Sequence, residues 1–254
     1  MTAGPAWTAL ACAFVAGGAN VAGGLLAAKA SGWDRIRQSY FVAIGAGFML
    51  AAVLLRMVPE SYRLALSGQS AMLSVGTLIL VGYLLVHFAE HVLVAHFHFG
   101  EETHHEHWVE PVVGTTALMG LALHTLFDGI SIGSGFLIDP GLGLLIAIAV
   151  FLHKIPEGFT MASIMVAAGR TRRDAILAAT FLGVMTIVGT LGTTLLRGSV
   201  RIALPVSAGA AIYVAASDLI PAVNEAKGIK KPLGVFAGVL LFYATEGILS
   251  QLGL

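Results

Sequence analysis

Charge is scarce in this sequence. Asp, Glu, Lys and Arg make up 11% of its 254 residues, where soluble domains carry about 25%. With 57% hydrophobic residues and a mean hydropathy of +0.88, the chain cannot cover its surface with polar groups, which points to an integral membrane protein. Lys plus Arg equal Asp plus Glu at 14 each, so no excess of positive charge recommends a nucleic-acid partner. Cys12 is the single cysteine, excluding an internal disulfide and a thiolate-rich metal site. No GxxxxGK[ST] loop occurs, so nothing suggests a nucleotide-driven pump. The first apolar run lacks a basic leader, so it is expected to stay as a helix and not to be cleaved.

Apolar runs and glycine are abundant. Runs of about 20 residues can each span a bilayer core, and eight are found: Thr8–Ala28, Tyr40–Pro59, Met72–Ala95, Val112–Phe136, Leu142–Ala167, Ala175–Leu196, Ile202–Pro221 and Leu233–Leu249. The 31 glycines suit close helix packing in lipid. The expected fold is an all-α integral membrane bundle, with residues 1–254 forming one transmembrane domain. Lys29, Arg35, Arg37, Arg170, Arg172, Arg173, Lys227, Lys230 and Lys231 fall on one side, against Arg63, Arg197 and Arg201 on the other. The positive-inside rule makes the first side cytoplasmic and puts both termini outside a cell membrane.

Two stretches repeat. GFMLAAVLLRMVP in the second span and GAAIYVAASDLIP in the seventh share the spacing of glycine to proline (Gly47 to Pro59, Gly209 to Pro221). GYLLVHFAE in the third and GVLLFYATE in the eighth share that of glycine to glutamate (Gly82 to Glu90, Gly238 to Glu246). The offset of five spans is odd, so the repeat of spans 1–3 in spans 6–8 is inverted around a central fourth and fifth pair, a transporter pattern. This topology puts Arg56 and Glu246 near the outer ends of their spans, as a candidate pair. His87, Glu90, His91 and Asp218 fall near the cytoplasmic ends, as a candidate exit for a cation.

The central pair carries the chemistry. His124 and Asp128 in HTLFDG, and His153 and Glu157 in HKIPEG, are each spaced i, i+4, one turn apart on one helix face. Ionisable side chains inside a membrane are costly and mark function, and two imidazoles with two carboxylates are a ligand set for a divalent transition metal. Gly129, Pro156 and Gly158 are expected to break both helices beside the site.

HTLFDG followed by HKIPEG resembles the paired fourth- and fifth-helix motifs of the ZIP (Zrt/Irt-like protein) family of divalent metal transporters. The resemblance extends to eight spans and a histidine-bearing loop after the third. It implies uptake of Zn²⁺, or of Fe²⁺, Mn²⁺, Co²⁺ or Cd²⁺, through His124, Asp128, His153 and Glu157. It also implies an elevator motion of spans 1, 4, 5 and 6 against the remainder, and a possible thioether ligand at Met49. Members with a second metal use an Asn and two acidic residues where this chain has Thr125, Lys154 and Thr186. A Lys⁺ about 6 Å from a dication repels it by roughly 6 kcal/mol at an effective dielectric near 20, so a single ion is expected.

The loop of residues 96–111 opens with the stretch His96–Trp108, in which His96, His98, His104, His105 and His107 are interspersed with three glutamates. Such tracts bind metal weakly, so this cytoplasmic loop is a candidate buffer. Two rival readings are a metal-gated channel or sensor, and an intramembrane metal-dependent hydrolase. The hydrolase is disfavoured because Lys follows His153 and no H-E-x-x-H is present; an enzyme is therefore not expected. A homodimer stays open, since no one small-residue face stands out.

Overall fold

Two helices of equal length, α5 (Pro111–Ile138) and α6 (Pro140–Ala167), meet at a turn of one residue. Asp139 makes that turn. Its backbone is extended, its carboxylate accepts the Leu142 N–H at 2.8 Å, and Pro140 follows at the first helical position, where a missing N–H costs nothing. The computed structural model describes residues 4–29, 35–67, 72–93, 111–224 and 229–253, with no strand among them. The expected breaks at Gly129 and Pro156 do not occur: α5 and α6 run unbroken through both. The glycines serve packing instead. A Cβ on Gly129 would strike the Thr186 backbone, and one on Gly158 the Asn20 backbone.

The remaining helices are α1 (Gly4–Lys29), α2 (Arg35–Ala52), α3 (Val58–Ser67), α4 (Met72–Phe88), α7 (Arg172–Leu195), α8 (Val200–Tyr213), α9 (Ile220–Asn224) and α10 (Lys230–Gln251). Gly169, at φ 74°, turns the chain out of α6, and a Thr171/Asp174 capping box starts α7. The irregularities are π-helical turns at Val53–Met57, Ala89–Leu93 and Val214–Leu219. The first and third lie just before Pro59 and Pro221. A proline cannot donate to the carbonyl four residues back and collides with it, and a π turn at that carbonyl relieves the collision.

Seven helical stretches among the described residues are long and apolar enough to cross a membrane; an eighth, Val75–His91, is apolar but shorter. Large apolar side chains such as Trp7, Phe14, Leu195, Phe236 and Leu240 face outward, as lipid-facing residues do.

Close helix contacts are set by glycines, and they come in matched pairs. Gly47 on α2 lies against the Val235 backbone of α10, and Gly209 on α8 against that of Ile79 on α4. Gly238 lies against Ile44, and Gly82 against Val206. Around the centre, Gly23 on α1 abuts Ile155 on α6, while Gly189 on α7 abuts Leu126 on α5. Phe48 and Phe242, each next or near to one of these helix contacts in sequence, meet edge to face at 5.7 Å. The α1, α5, α6 and α7 helices pack extensively on one another, as do α2 with α10 and α4 with α8.

Candidate metal centre

The i, i+4 spacing turns His124 and Asp128 of α5, and His153 and Glu157 of α6, toward the interface of the two helices. One ligand atom from each lies within 4.8 Å of the other three, and none of the four residues is more than 4% exposed. His124 Nε2 is 3.1 Å from Asp128 Oδ2 and 3.3 Å from Glu157 Oε2. His153 Nε2 is 3.3 Å and 3.9 Å from the same two oxygens. N and O ligands about 2.0–2.1 Å from a tetrahedral ion sit roughly 3.3 Å from one another, close to the separations of His124 Nε2 from both oxygens and of His153 Nε2 from Asp128. His153 Nδ1 donates to the Ala149 carbonyl at 2.9 Å. A neutral His153 that keeps this bond carries its proton on Nδ1 and has the Nε2 lone pair for a metal; Nε2 here faces Asp128 Oδ2. His124 Nε2 has no aligned hydrogen-bond partner among the described residues.

Lys154 is wholly buried beside this set. Its ammonium donates to Glu157 Oε2 at 2.6 Å and to Thr125 Oγ1 at 3.2 Å, and pairs with Asp128 Oδ2 at 2.7 Å. The ammonium is thus held by two hydrogen bonds and a further ion pair. Thr125 in turn donates to Glu157 Oε1 at 2.8 Å. The basic residue therefore sits on the two carboxylates. Thr186 is buried, and its hydroxyl has no partner among the described residues.

Sequence reasoning missed Asn20, which donates through Nδ2 to Glu157 Oε1 at 3.2 Å from the first helix. An amide within the apolar run GGANVAGG was the available signal. It is neutral and lies more than a hundred residues from its partner, so no local pattern connects the two. Met49 is buried and lines a cavity with room for about one water, together with Met57, Asp128 and Ser131. Met57 and Ser131 also escaped notice.

The groups at the helix ends form two clusters. Arg56 Nη1 donates to Glu246 Oε1 at 2.7 Å, with Asp139 Oδ1 3.8 Å from Nη2. Apart from these, the His87 and His91 rings lie 4.1 Å apart, tilted by 36°, and His91 Nδ1 donates to the His87 carbonyl. Tyr213 is edge-on to His87 at 5.7 Å and bonded to Glu90. Asp218 is close enough to interact electrostatically with both Glu90 and His124. His96, His98, His104, His105 and His107 lie outside the described residues.

Residues 108–246 match the model of the ZIP zinc transporter family. The chain is 29% identical over 140 residues to zinc transporter foi of Drosophila melanogaster, covering 54% of this chain and 19% of foi. It is 29% identical over 133 residues to zinc transporter SLC39A7 of Homo sapiens (46% of this chain, 28% of that one). It is 32% identical over 115 residues to human zinc transporter ZIP10 (44% and 14%). The chain thus spans less than a third of the length of these relatives.

Proposed function

This chain belongs to the ZIP zinc transporter family, and from that membership we propose that it carries a divalent transition metal, foremost Zn²⁺, across a membrane without ATP. The observation that bears the weight is the convergence of His124, Asp128, His153 and Glu157 at ligand spacing in a buried cluster. Imidazole with carboxylate suits Zn²⁺ and also admits Fe²⁺, Mn²⁺, Co²⁺ and Cd²⁺. A lone ion is held, because the Lys154 ammonium already places a positive charge beside Asp128 and Glu157 and repels a second dication.

The passage runs inward from outside. That direction is what the family resemblance implies; the positive-inside rule orients the chain, with eight spans and both termini outside. An ion approaches past Met49, Met57 and Ser131, is stripped of water at the four ligands, and leaves past Asp218, Glu90, His87 and His91. The Arg56–Glu246 pair closes the outer end of its two helices, and the histidine tract buffers metal at the cytoplasmic face. Alternating access comes from the inverted repeat. Supporting it, the contact of Gly47 with Val235 has its counterpart in Gly209 with Ile79, that of Gly238 with Ile44 in Gly82 with Val206, and that of Gly158 with Asn20 in Gly129 with Thr186. Gly17, Asn20 and Gly23 keep the spacing of Gly183, Thr186 and Gly189. The grouping of α1, α5, α6 and α7 suits an elevator in which that unit slides with its ion.

Liposomes loaded with a zinc-sensitive dye test this reading. Saturable uptake is expected, and it is abolished by His124→Ala combined with Glu157→Ala. Fast flux that follows voltage would indicate a channel. Uptake that survives the double substitution would place the pathway elsewhere.

A further inference from the structure

Asn20 is fully buried on α1, and only half of its amide is paired. Nδ2 donates to Glu157 Oε1, while Oδ1 has no hydrogen-bond partner among the described residues. Exchanging the two atoms would set an acceptor against a carboxylate, so chemistry fixes the orientation. A buried acceptor without a donor is costly, and Asn20 Oδ1 therefore calls for one that comes within reach in another state of the site.

Two polar side chains that, like Asn20, bond Glu157 carry donors. The Thr125 hydroxyl is committed to Glu157 Oε1. The Lys154 ammonium is committed to Asp128 Oδ2, Glu157 Oε2 and Thr125 Oγ1. Only the ammonium has a reason to move. Asp128 Oδ2 and Glu157 Oε2 are the oxygens that face the imidazoles, so an arriving dication takes the same two atoms and repels the ammonium from them. Lysine has a flexible four-carbon stem and a rotatable head, and can swing without giving up its bond to Thr125.

We propose that Asn20 is a positioning residue for ion loading: its Oδ1 receives the Lys154 ammonium when the cation takes Asp128 and Glu157. Lys154 remains charged throughout and acts as a tethered cation. It satisfies the carboxylates of the empty site and shifts to the α1 side of Glu157 when they are needed. The Oδ1 acceptor of Asn20 then affects metal affinity only through Lys154. This rests on the central-site reading above.

The test is a double-mutant cycle on the full chain, read as Zn²⁺ affinity by calorimetry in detergent. Asn20→Thr and Asn20→Val are isosteric and differ in one hydroxyl acceptor. With Lys154 present, Asn20→Val should bind Zn²⁺ about tenfold more weakly than Asn20→Thr, the scale of a buried donor left unpaired. In the Lys154→Met background the two should agree within about twofold, the spread expected when no partner is shared. Asn20→Ala replaces Asn20→Val if the latter does not fold. Equal affinities with Lys154 present, or the same difference in both backgrounds, would overturn the proposal, the latter by showing that Asn20 acts through Glu157 alone. A parent chain that binds no Zn²⁺, or binds it equally after His124→Ala with Glu157→Ala, would overturn the central-site reading and this proposal with it.

Discussion

At the scale of single residues, the chemistry is a contest for two oxygens. Asp128 Oδ2 and Glu157 Oε2 hold the Lys154 ammonium and face the two imidazoles. Lys154→Asp removes the competing cation and adds a carboxylate. Metal stoichiometry by equilibrium dialysis should then rise from one Zn²⁺ per chain toward two, with ions separated by about 4 Å, as in two-metal sites. A ratio that stays at one would show that something other than charge bars a second ion. Acid should weaken binding. Neutral imidazole ligates and imidazolium does not, so apparent affinity should fall as the pH is lowered. Affinity that is flat from pH 7 to pH 5 would exclude ligation by the two histidines. These four residues were legible in the sequence because ionisable groups at helical spacing stand out against apolar neighbours. Asn20 was not legible, since its partner Glu157 comes to it only through the packing of α1 on α6.

At the scale of helices, position depends on glycine. A Cβ on Gly158 would meet the carbonyl, carbon and Cα of Asn20, none of which can rotate aside. Gly158→Ala should therefore push α6 from α1, lowering stability by about 1–3 kcal/mol and drawing Glu157 away from its partners. Gly192→Ala, with nothing near its Cβ position, should be close to neutral. Thermal melts in detergent compare the two, and equal melting temperatures would contradict the packing account. The eight apolar runs foretold most helix positions to within a few residues. The unbroken course of α5 and α6 was not foretold, because a proline or glycine signals a weak point whether or not neighbouring helices support it. The π turns before Pro59 and Pro221 were hidden for the opposite reason. Their sequence reads as ordinary helix, and the strain that a proline puts on the carbonyl behind it appears only in the fold.

At the scale of the whole molecule, the ends are held lightly and the centre firmly. Arg56 and Glu246 are each about a third exposed, and pairs of that kind contribute about 0.2–1 kcal/mol. Arg56→Gln should accordingly shift the melting temperature little; a large loss would mean that the pair, with Asp139 nearby, holds the helices together. The repeated glycine and proline spacings hinted at an internal two-fold, and the glycines among them make close helix contacts. Spacing could be read along the chain, whereas the partners of those glycines could not, because each contact joins distant segments.

The account stands or falls on one desolvated ion shared by α5 and α6. Zinc-edge anomalous diffraction from crystals soaked in Zn²⁺ tests that directly. One strong peak should appear within about 2.1 Å of ligand atoms from His124, Asp128, His153 and Glu157. A strong peak elsewhere in the bundle with none between these four side chains would contradict it.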